Sequence, residues 1–314
     1  MNPVTTLKST LDASVNFIQK FGRKGGAIEA RFVAKKPEYI SCYVSSHSGC
    51  KMGCKMCHLT QNGNTTFDHV NTENYIKQIR TVLDFYRNNK IQTATRCNIN
   101  FMSRGEPLAN KYVINDYPQL YKSMNNTCAE YGLTMKPNIS TIMPYTVQQR
   151  DLYHIFGNHP AYLYYSLYSL NPEFRKKWLP NAIPPEEALR KLKEYQSKAG
   201  HILTFHWSLI KGENDSLEEA KRTADLLNRY QFNAKFQIVR FNGHPKAEYQ
   251  EADLDRIHEI FQIVNAGLGQ HEKSYIVPRV GRDVYASCGT FIEDKDVWSQ
   301  TDSKFEIKSL WYYT

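Results

Sequence analysis

Three cysteines within a short stretch are the residues of this chain best suited to chemistry. Cys50, Cys54 and Cys57 follow a C-x3-C-x2-C spacing in a segment rich in Gly, Lys and polar residues. The chain has seven cysteines, and an odd, clustered set does not fit a secreted disulfide framework. A zinc site normally takes four protein ligands, which His47 or His58 would complete here. Three thiolates can instead hold three irons of a 4Fe–4S cluster and leave the fourth iron open.

The elements around this cysteine loop must position it. Residues 26–35 and 39–46 alternate polar and apolar side chains, which predicts two short, paired strands before the loop. Apolar residues at helical spacing predict a helix over 72–90, with Thr72 as its cap. Further predicted strands are 97–102, 133–141, 161–168, 201–210, 233–241 and 274–280; further predicted helices are 118–131, 146–156, 184–200, 216–230 and 253–267.

Strands that alternate with helices of this length predict parallel βαβ units. The fold class is therefore α/β, a partial (β/α)6 TIM-like barrel with a short N-terminal β-strand extension. We expect three regions: a basic segment and strand extension over 1–41, a core barrel over 42–292, and a C-terminal appendage over 293–314.

Composition limits the class of protein. With 41% hydrophobic and 23% charged residues, the chain of 314 residues is a folded globular protein. It contains no apolar run of the roughly 18 residues that span a membrane. Its N-terminus does not resemble a secretory signal, so we expect a cytoplasmic protein. Forty Lys and Arg against 31 Asp and Glu give a net charge of +9. Such a balance attracts polyanions, most often nucleic acid, or serves solubility alone.

The cysteine spacing, placed between the first barrel strand and the first helix, resembles the signature of radical S-adenosylmethionine (SAM) enzymes. In that superfamily the open iron binds the amino and carboxylate groups of SAM, and an electron from the cluster splits SAM to a 5′-deoxyadenosyl radical. The resemblance implies a 4Fe–4S cluster held by Cys50, Cys54 and Cys57, with SAM as the second cofactor. Met56 is a departure, because the superfamily usually has an aromatic residue there.

Further segments resemble the RlmN/Cfr group, which methylates adenine carbons in RNA. They occur in family order between about residues 26 and 291: VSSHSGCKMGCKMC (44–57), FMSRGEPLAN (101–110), NIST (138–141), SLYS (166–169), ND (214–215), VRFNGHP (239–245) and VGRDVYASCG (280–289).

The resemblance implies a SAM pocket at the carboxyl ends of the strands, where barrel enzymes place their sites. Gly105 and Glu106 would meet the SAM amino group, since a carboxylate suits an ammonium. The rest of SAM would contact Ser140, Ser166, Leu167, Tyr168 and Asn242.

The resemblance also implies covalent chemistry at Cys288. In the family, one SAM methylates this cysteine, and a second supplies the radical that takes hydrogen from the S-methyl group. The methylene radical adds to the adenine carbon, and a second cysteine resolves the crosslink and leaves a disulfide. Glu29 resembles an acidic residue suggested there as a proton acceptor.

The second cysteine is displaced in this sequence. Counting back from Cys50 by the family distance gives Tyr43, whereas counting forward from Glu29 gives Cys42. A one-residue shift reverses the face of a strand to which a side chain points. A single-residue insertion or bulge between Cys42 and Cys50 would reconcile the two counts, and we expect Cys42 to be the resolving thiol.

The expected function is methylation of an adenine ring carbon in 23S rRNA, tRNA or both; C2 is the expected position, and the sequence leaves C8 open. Family members carry a helical RNA-holding domain before the strand extension, which is not recognisable here. Basic residues could partly replace it: Lys20, Arg23, Lys24, Lys35, Lys36, Lys51 and Lys55. We expect an electron donor such as flavodoxin or ferredoxin, a monomer, and no membrane partner. Two alternatives remain: a radical SAM enzyme with a small-molecule or protein substrate, and a non-catalytic zinc RNA-binding module.

Overall fold

The computed structural model describes residues 4–22, 26–89, 93–245 and 247–292, and in these ranges ten strands form one sheet in chain order. The strands are β1 (Val4–Lys8), β2 (Val15–Phe21), β3 (Gly26–Lys36), β4 (Tyr39–Tyr43), β5 (Arg96–Phe101), β6 (Thr134–Thr141), β7 (Tyr162–Ser166), β8 (Leu203–Trp207), β9 (Ala234–Val239) and β10 (Tyr275–Val277).

The strands from β4 to β10 are parallel and are connected by helices, which confirms the α/β class and the partial barrel. Within the described residues β10 pairs with β9 alone, so the sheet curves without closing. The helices are α1 (His58–Gln61), α2 (Thr72–Asn89), α3 (Lys111–Ala129), α4 (Leu152–Phe156), α5 (Pro172–Trp178), α6 (Pro185–Ala199), α7 (Leu217–Tyr230) and α8 (Leu254–Gly267).

The N-terminal extension is larger than predicted. β1, β2 and β3 pair antiparallel, and β3 then pairs antiparallel with β4, so the extension continues the barrel sheet. The sequence missed β1 and β2. β1 is an edge strand of the sheet, is partly exposed and lacks a clear apolar alternation. The predicted pairing of the strands around residues 26–35 and 39–46 is confirmed.

Alternation along the barrel strands separates two environments. On β4, Ser41 and Tyr43 line a cavity inside the barrel, whereas Ile40 and Cys42 are fully buried in the apolar core. On β5, Asn98 and Asn100 line the same cavity between the buried Cys97 and Ile99. The inner face of the barrel is therefore polar, and the helices pack on its apolar outer face.

Helix boundaries differ where capping decided them. The cap of α2 is Asn71, whose Oδ1 accepts from the Asn74 amide at 3.0 Å, and not Thr72. α3 begins seven residues earlier than the predicted 118, because Asn110 caps its first turn. Pro118 is accommodated inside α3 by a kink at Asp116.

The predicted helix over 146–156 is divided in two. A 3-10 turn covers Tyr145–Val147, and α4 begins only after Asp151, whose side chain accepts from the Tyr153 amide. α5, which Asn171 caps, was not predicted.

In the described residues no helix is long and apolar enough to cross a membrane. The predicted C-terminal appendage, 293–314, lies outside the described residues, as do Arg23 and Lys24. The boundaries of the three predicted regions stay predictions.

Candidate active site

The cysteine loop lies at the carboxyl end of the barrel, between β4 and α2. The amide of Cys50 donates to the Asn64 carbonyl at 2.9 Å, and that of Cys57 donates to the Cys54 carbonyl at 3.0 Å. Cys57 then precedes the first residue of the short helix α1. These backbone bonds fold the loop so that its three half-buried thiols interact electrostatically with one another.

The three thiols suit a 4Fe–4S cluster. Burial, with repulsion between the thiolates, raises the pKa of Cys50 to about 12 and that of Cys54 well above its usual range; burial also raises the pKa of Cys57 to about 11. Positively charged iron would reverse these shifts, because a coordinating thiol is deprotonated. The described residues contain no group of three or more His, Cys, Asp or Glu side chains arranged around a single ion. Each thiolate of a 4Fe–4S cluster binds a different iron, so the three thiols need not surround a single ion.

Gly105 and Glu106 lie beside the cysteine loop. Gly105 has a φ of +90°, and a β-carbon there would lie 2.4 Å from His47 Nδ1, so the turn requires glycine. The Glu106 carboxylate accepts from the amides of Leu108 at 2.9 Å and Ile142 at 3.1 Å. Burial nevertheless raises the pKa of Glu106 to about 7. A buried carboxylate near the thiols can receive an ammonium group.

The predicted SAM contacts on β6 and β7 are placed unequally. Ser140 lies on β6 opposite Tyr164, and Ser166 ends β7. Tyr168 has a φ of +55°, and its hydroxyl interacts with Ser166 and with the thiols of Cys54, Cys57 and Cys288. The Leu167 side chain is fully buried in the core, so only its backbone can face a ligand.

Cys288 is exposed in a loop that closes on the cysteine loop. The Gly289 carbonyl accepts from the His58 amide at 3.0 Å, and Asn242 Nδ2 donates to the Cys288 carbonyl at 3.0 Å. Cys288 and Asn242 line the carboxyl end of the barrel cavity. The surrounding protein keeps water from the thiol and so raises the pKa of Cys288; the positive charge of Arg31 opposes this rise.

Glu29 is placed differently from the prediction. It is fully buried and does not line the cavity; Arg31 Nη2 donates to it at 3.0 Å, Arg104 Nε at 2.8 Å and Asn16 Nδ2 at 3.0 Å. Despite burial, these partners lower its pKa. A carboxylate already saturated by two guanidinium groups is a poor proton acceptor, so the structure favours a structural role.

The two arginines connect Glu29 to the Cys288 loop. Arg31 Nη2 donates to the Thr290 carbonyl at 2.8 Å, and Arg104 Nη2 donates to the Ile292 carbonyl at 2.7 Å. Sequence reasoning missed both residues. Arg31 lies two residues beyond Glu29 on the same face of β3, and Arg104 lies inside the MSRGEP segment, so alternation and motif position were the available signals.

Cys42 is not brought to Cys288. It is fully buried in the core, and its thiol interacts with that of Cys97; Cys128 joins them, and the predicted burial of Cys97 and Cys128 is confirmed. The neighbouring Tyr43 lines the cavity with Cys288. The pairing of β3 with β4 is irregular between Val33 and Lys36, whereas the expected insertion between Cys42 and Cys50 falls mostly beyond the end of β4 and stays a prediction. β4 therefore turns Cys42 away from the site.

The comparisons with known proteins agree with this fold. No family model matches the chain. It is 28% identical over 290 residues to the dual-specificity RNA methyltransferase RlmN of Oleidesulfovibrio alaskensis, covering 91% of this chain and 76% of the relative. It is 25% identical to a probable RlmN of Parabacteroides distasonis, with 94% and 80% covered. The crystal structure of a radical SAM methyltransferase from Sphaerobacter thermophilus superposes with a TM-score of 0.74 at 22% identity, covering 92% and 81%.

The partial barrel with its cysteine loop defines the class as the radical SAM enzymes, with a 4Fe–4S cluster and SAM as cofactors. Within that class the chain is similar, over more than nine-tenths of its length, to SAM-dependent RNA methyltransferases named RlmN.

Proposed function

We propose that this protein methylates a ring carbon of adenine, C2, in 23S rRNA, tRNA or both, and that Cys288 carries the methyl group. The observation that carries the proposal is the position of Cys288, whose loop is hydrogen-bonded to the cysteine loop through Gly289 and His58. The relatives named dual-specificity RNA methyltransferases support RNA as the substrate.

Each group at the carboxyl end of the barrel has a part in this proposal. Cys50, Cys54 and Cys57 hold the cluster, and Glu106 receives the SAM ammonium beside Gly105. Ser140, Ser166, Tyr168, Asn242 and the Leu167 backbone border the remaining SAM surface. When bound at these residues, the cluster and SAM would supply the radical chemistry that removes a hydrogen from the methyl group. Cys288 Sγ loses its proton, takes a methyl group by displacement, and later delivers that carbon to adenine.

Because the Cys42 side chain is buried in the core, a different group must release the product from Cys288. A second protein thiol would have to lie beside Cys288, and β4 presents Tyr43 at that place. We propose that a thiolate from solution attacks the sulfur of the exposed Cys288, so that an S–S bond forms as the S–C bond of the adduct breaks. The freed carbon takes up a proton to become the methyl group, and the adenine ring loses the proton of the methylated carbon and one electron, which would replace the electron spent in cleaving SAM. Methylation that proceeds through many turnovers without any added thiol would exclude this route.

The test is methyl transfer to RNA. Protein reconstituted anaerobically with iron and sulfide is incubated with SAM, a reductant, and bulk rRNA and tRNA, and the digested nucleosides are read by mass spectrometry. We expect a new 2-methyladenosine that disappears in Cys288→Ala, while 5′-deoxyadenosine still forms. An unchanged yield from Cys288→Ala would disprove the role of this cysteine.

In a second candidate function, the protein uses SAM in the same way but acts on a small molecule or a protein instead of RNA. The observations that favour it are Tyr43 in place of a thiol and Glu29 saturated by arginines. Abundant 5′-deoxyadenosine with no methylated RNA would support this candidate over the first. An electron donor such as flavodoxin or ferredoxin, and a monomeric state, are part of either proposal.

A further inference from the structure

The barrel cavity, of about 330 Å³, continues from Cys288 to the opposite end of the barrel. There the strands begin, and cationic side chains surround the opening. We call these residues the basic ring: Lys35, Arg96, Lys136, Lys235 and Lys273. Arg96 starts β5, Lys136 and Lys235 lie near the starts of β6 and β9, and Lys273 precedes β10. In the described part of the chain, no Asp or Glu side chain lines the cavity.

Four positive charges of the basic ring are held close together and partly out of water, whereas the fifth, Lys273, is mostly exposed and lies 3.7 Å from the Glu272 carboxylate. Burial and the nearby charges of Lys136 and Lys273 lower the pKa of Lys235 to about 8. Burial, Arg96 and Lys273 likewise lower the pKa of Lys136. Asp12 opposes the shift at Lys35. Because half-buried like charges destabilise a fold unless something compensates them, this arrangement points to an anionic ligand.

Tyrosine rings fix the cations around the opening. Lys136 Nζ lies 4.4 Å from the centre of the Tyr162 ring, and Lys235 Nζ lies 5.3 Å from that of Tyr164. The guanidinium of Arg96 stacks 5.1 Å from the Tyr39 ring. Cation–π contacts orient the charges without neutralising them, so they remain able to bind an anion.

Between the basic ring and Cys288 the cavity wall is a layer of amides. Asn138 is only 4% exposed, and its Nδ2 donates to Asn100 Oδ1 at 2.8 Å. Its Oδ1 is buried and, within the described residues, accepts no hydrogen bond. A buried acceptor without a donor is costly, so it points to a ligand that brings a donor. The amino group of adenine is such a donor, and asparagine amides read adenine in this way.

We propose that the amino end of the barrel is the substrate entrance, where the basic ring binds phosphate groups of an RNA strand whose base passes the Asn138 layer toward Cys288. The naming of RNA rests on the proposed function, whereas anion binding by the ring does not. From Tyr39 to Tyr43 an extended strand rises about 13 Å. A single nucleotide can therefore place its phosphate at the ring and its base near Cys288.

Binding of a fluorescent, adenosine-containing single-stranded RNA is measured by anisotropy on the full chain reconstituted with its cluster. The variants are Lys136→Gln, Lys235→Gln and the conservative Lys136→Arg, with Lys221→Gln as the control on the exposed face of α7. We expect each glutamine variant to weaken binding about fivefold and to reduce the slope of log K against log salt by about 0.7. Lys136→Arg and Lys221→Gln should bind like the wild type.

Wild-type affinity and salt slope in both glutamine variants would overturn the proposal. Competition with AMP and with inorganic tripolyphosphate separates the sources of phosphate. In one outcome, the ring substitutions weaken binding of AMP or tripolyphosphate but leave RNA binding unchanged. A free phosphorylated molecule is then the ligand of the ring, and the RNA assignment is overturned. Weakened RNA binding in the variants together with no methylation of any RNA would leave the inference standing and refute the proposed function.

Discussion

Two buried carboxylates near the site ionise differently because their neighbours differ. Arg104, Arg31 and Asn16 surround Glu29, so its pKa lies below the usual range in spite of burial. Glu106 lies among thiols and backbone amides, and burial raises its pKa to about 7. The pair illustrates how the same residue type serves as a permanent anion that anchors a loop at one position and as a receptor for a cation at another.

Replacement of Glu29 should cost stability rather than remove a catalytic base. Glu29→Ala leaves two buried guanidinium groups without their carboxylate, so we expect the free energy of unfolding to fall by about 3–5 kcal/mol at neutral pH. The measurement is urea unfolding, with Glu73→Ala on the exposed end of α2 as a control that should behave like the wild type. Because the folded pKa lies below 4.5, the stabilisation is present above that value and is lost as the pH falls through the folded pKa, where the two curves should converge.

Cys42 offers a direct test of which face of β4 matters. Cys42→Ala removes a fully buried sulfur, so we expect a loss of about 1 kcal/mol in unfolding free energy and unchanged methyl transfer per folded molecule. Turnover is measured as methylated nucleoside per cluster, beside Cys97→Ala as a matched core thiol. A protein–RNA adduct that accumulates in Cys42→Ala alone would mean that β4 exposes this thiol during the reaction.

At the scale of the element, the sequence predicted where the strands lie more reliably than which side chains of each strand point into the core. Every barrel strand from β4 to β10 was predicted, because short apolar runs alternate with amphipathic helices. The face of Cys42 could not be predicted, since a single irregular residue between Val33 and Lys36 changes the count along β3 and β4. Such irregularities depend on tertiary pairing and leave no local pattern.

The site residues divide in the same way: those in local motifs were predicted from the sequence, and those that only the fold brings together were not. The sequence motifs identified Cys50, Cys54, Cys57 and Cys288, and the structure brings their loops together. The basic ring was missed, apart from Lys35, because its members come from five separate segments that only the barrel brings together. The orientation of Leu167 could not be predicted for a related reason: the end of β7 turns its side chain into the core and leaves its backbone as the possible ligand contact.

The turn at Gly105 joins β5 to the 3-10 turn Pro107–Ala109 and fixes Glu106 against the cysteine loop. Gly105→Ala would place a methyl group on His47 and strain a backbone of positive φ, so we expect the turn to shift. The expected result is a lower iron content after reconstitution and SAM binding weakened by about tenfold or more. Gly132→Ala is the control, because that glycine also has a positive φ but no neighbour within 4 Å of the added carbon. Equal losses in the two variants would mean that backbone strain alone is responsible.

At the scale of the whole molecule, the barrel separates two kinds of chemistry along one axis. The carboxyl end combines thiols, the Glu106 carboxylate and the Cys288 loop, whereas the amino end gathers positive charge. A polyanion is attracted to the amino end, and only a neutral base has reason to continue through the amide layer. The net charge of +9 is therefore partly organised around the cavity rather than spread evenly over the surface.

This organisation predicts how RNA binding depends on pH. Lys235 faces Lys136 from β6, Tyr164 from β7, His206 from β8, and Lys273 and Tyr275 from the β10 segment. Burial lowers the pKa of His206 to about 4 and raises those of Tyr164 and Tyr275, so these three stay neutral near pH 8. Lys235, with its pKa of about 8, is then the group that changes charge, and bound phosphate favours its protonated form. We expect RNA affinity to fall several-fold from about pH 7 to about pH 9 in the wild type, and to change little in Lys235→Gln. A pH profile of the same shape in Lys235→Gln would assign the dependence to another group and remove Lys235 from the phosphate site.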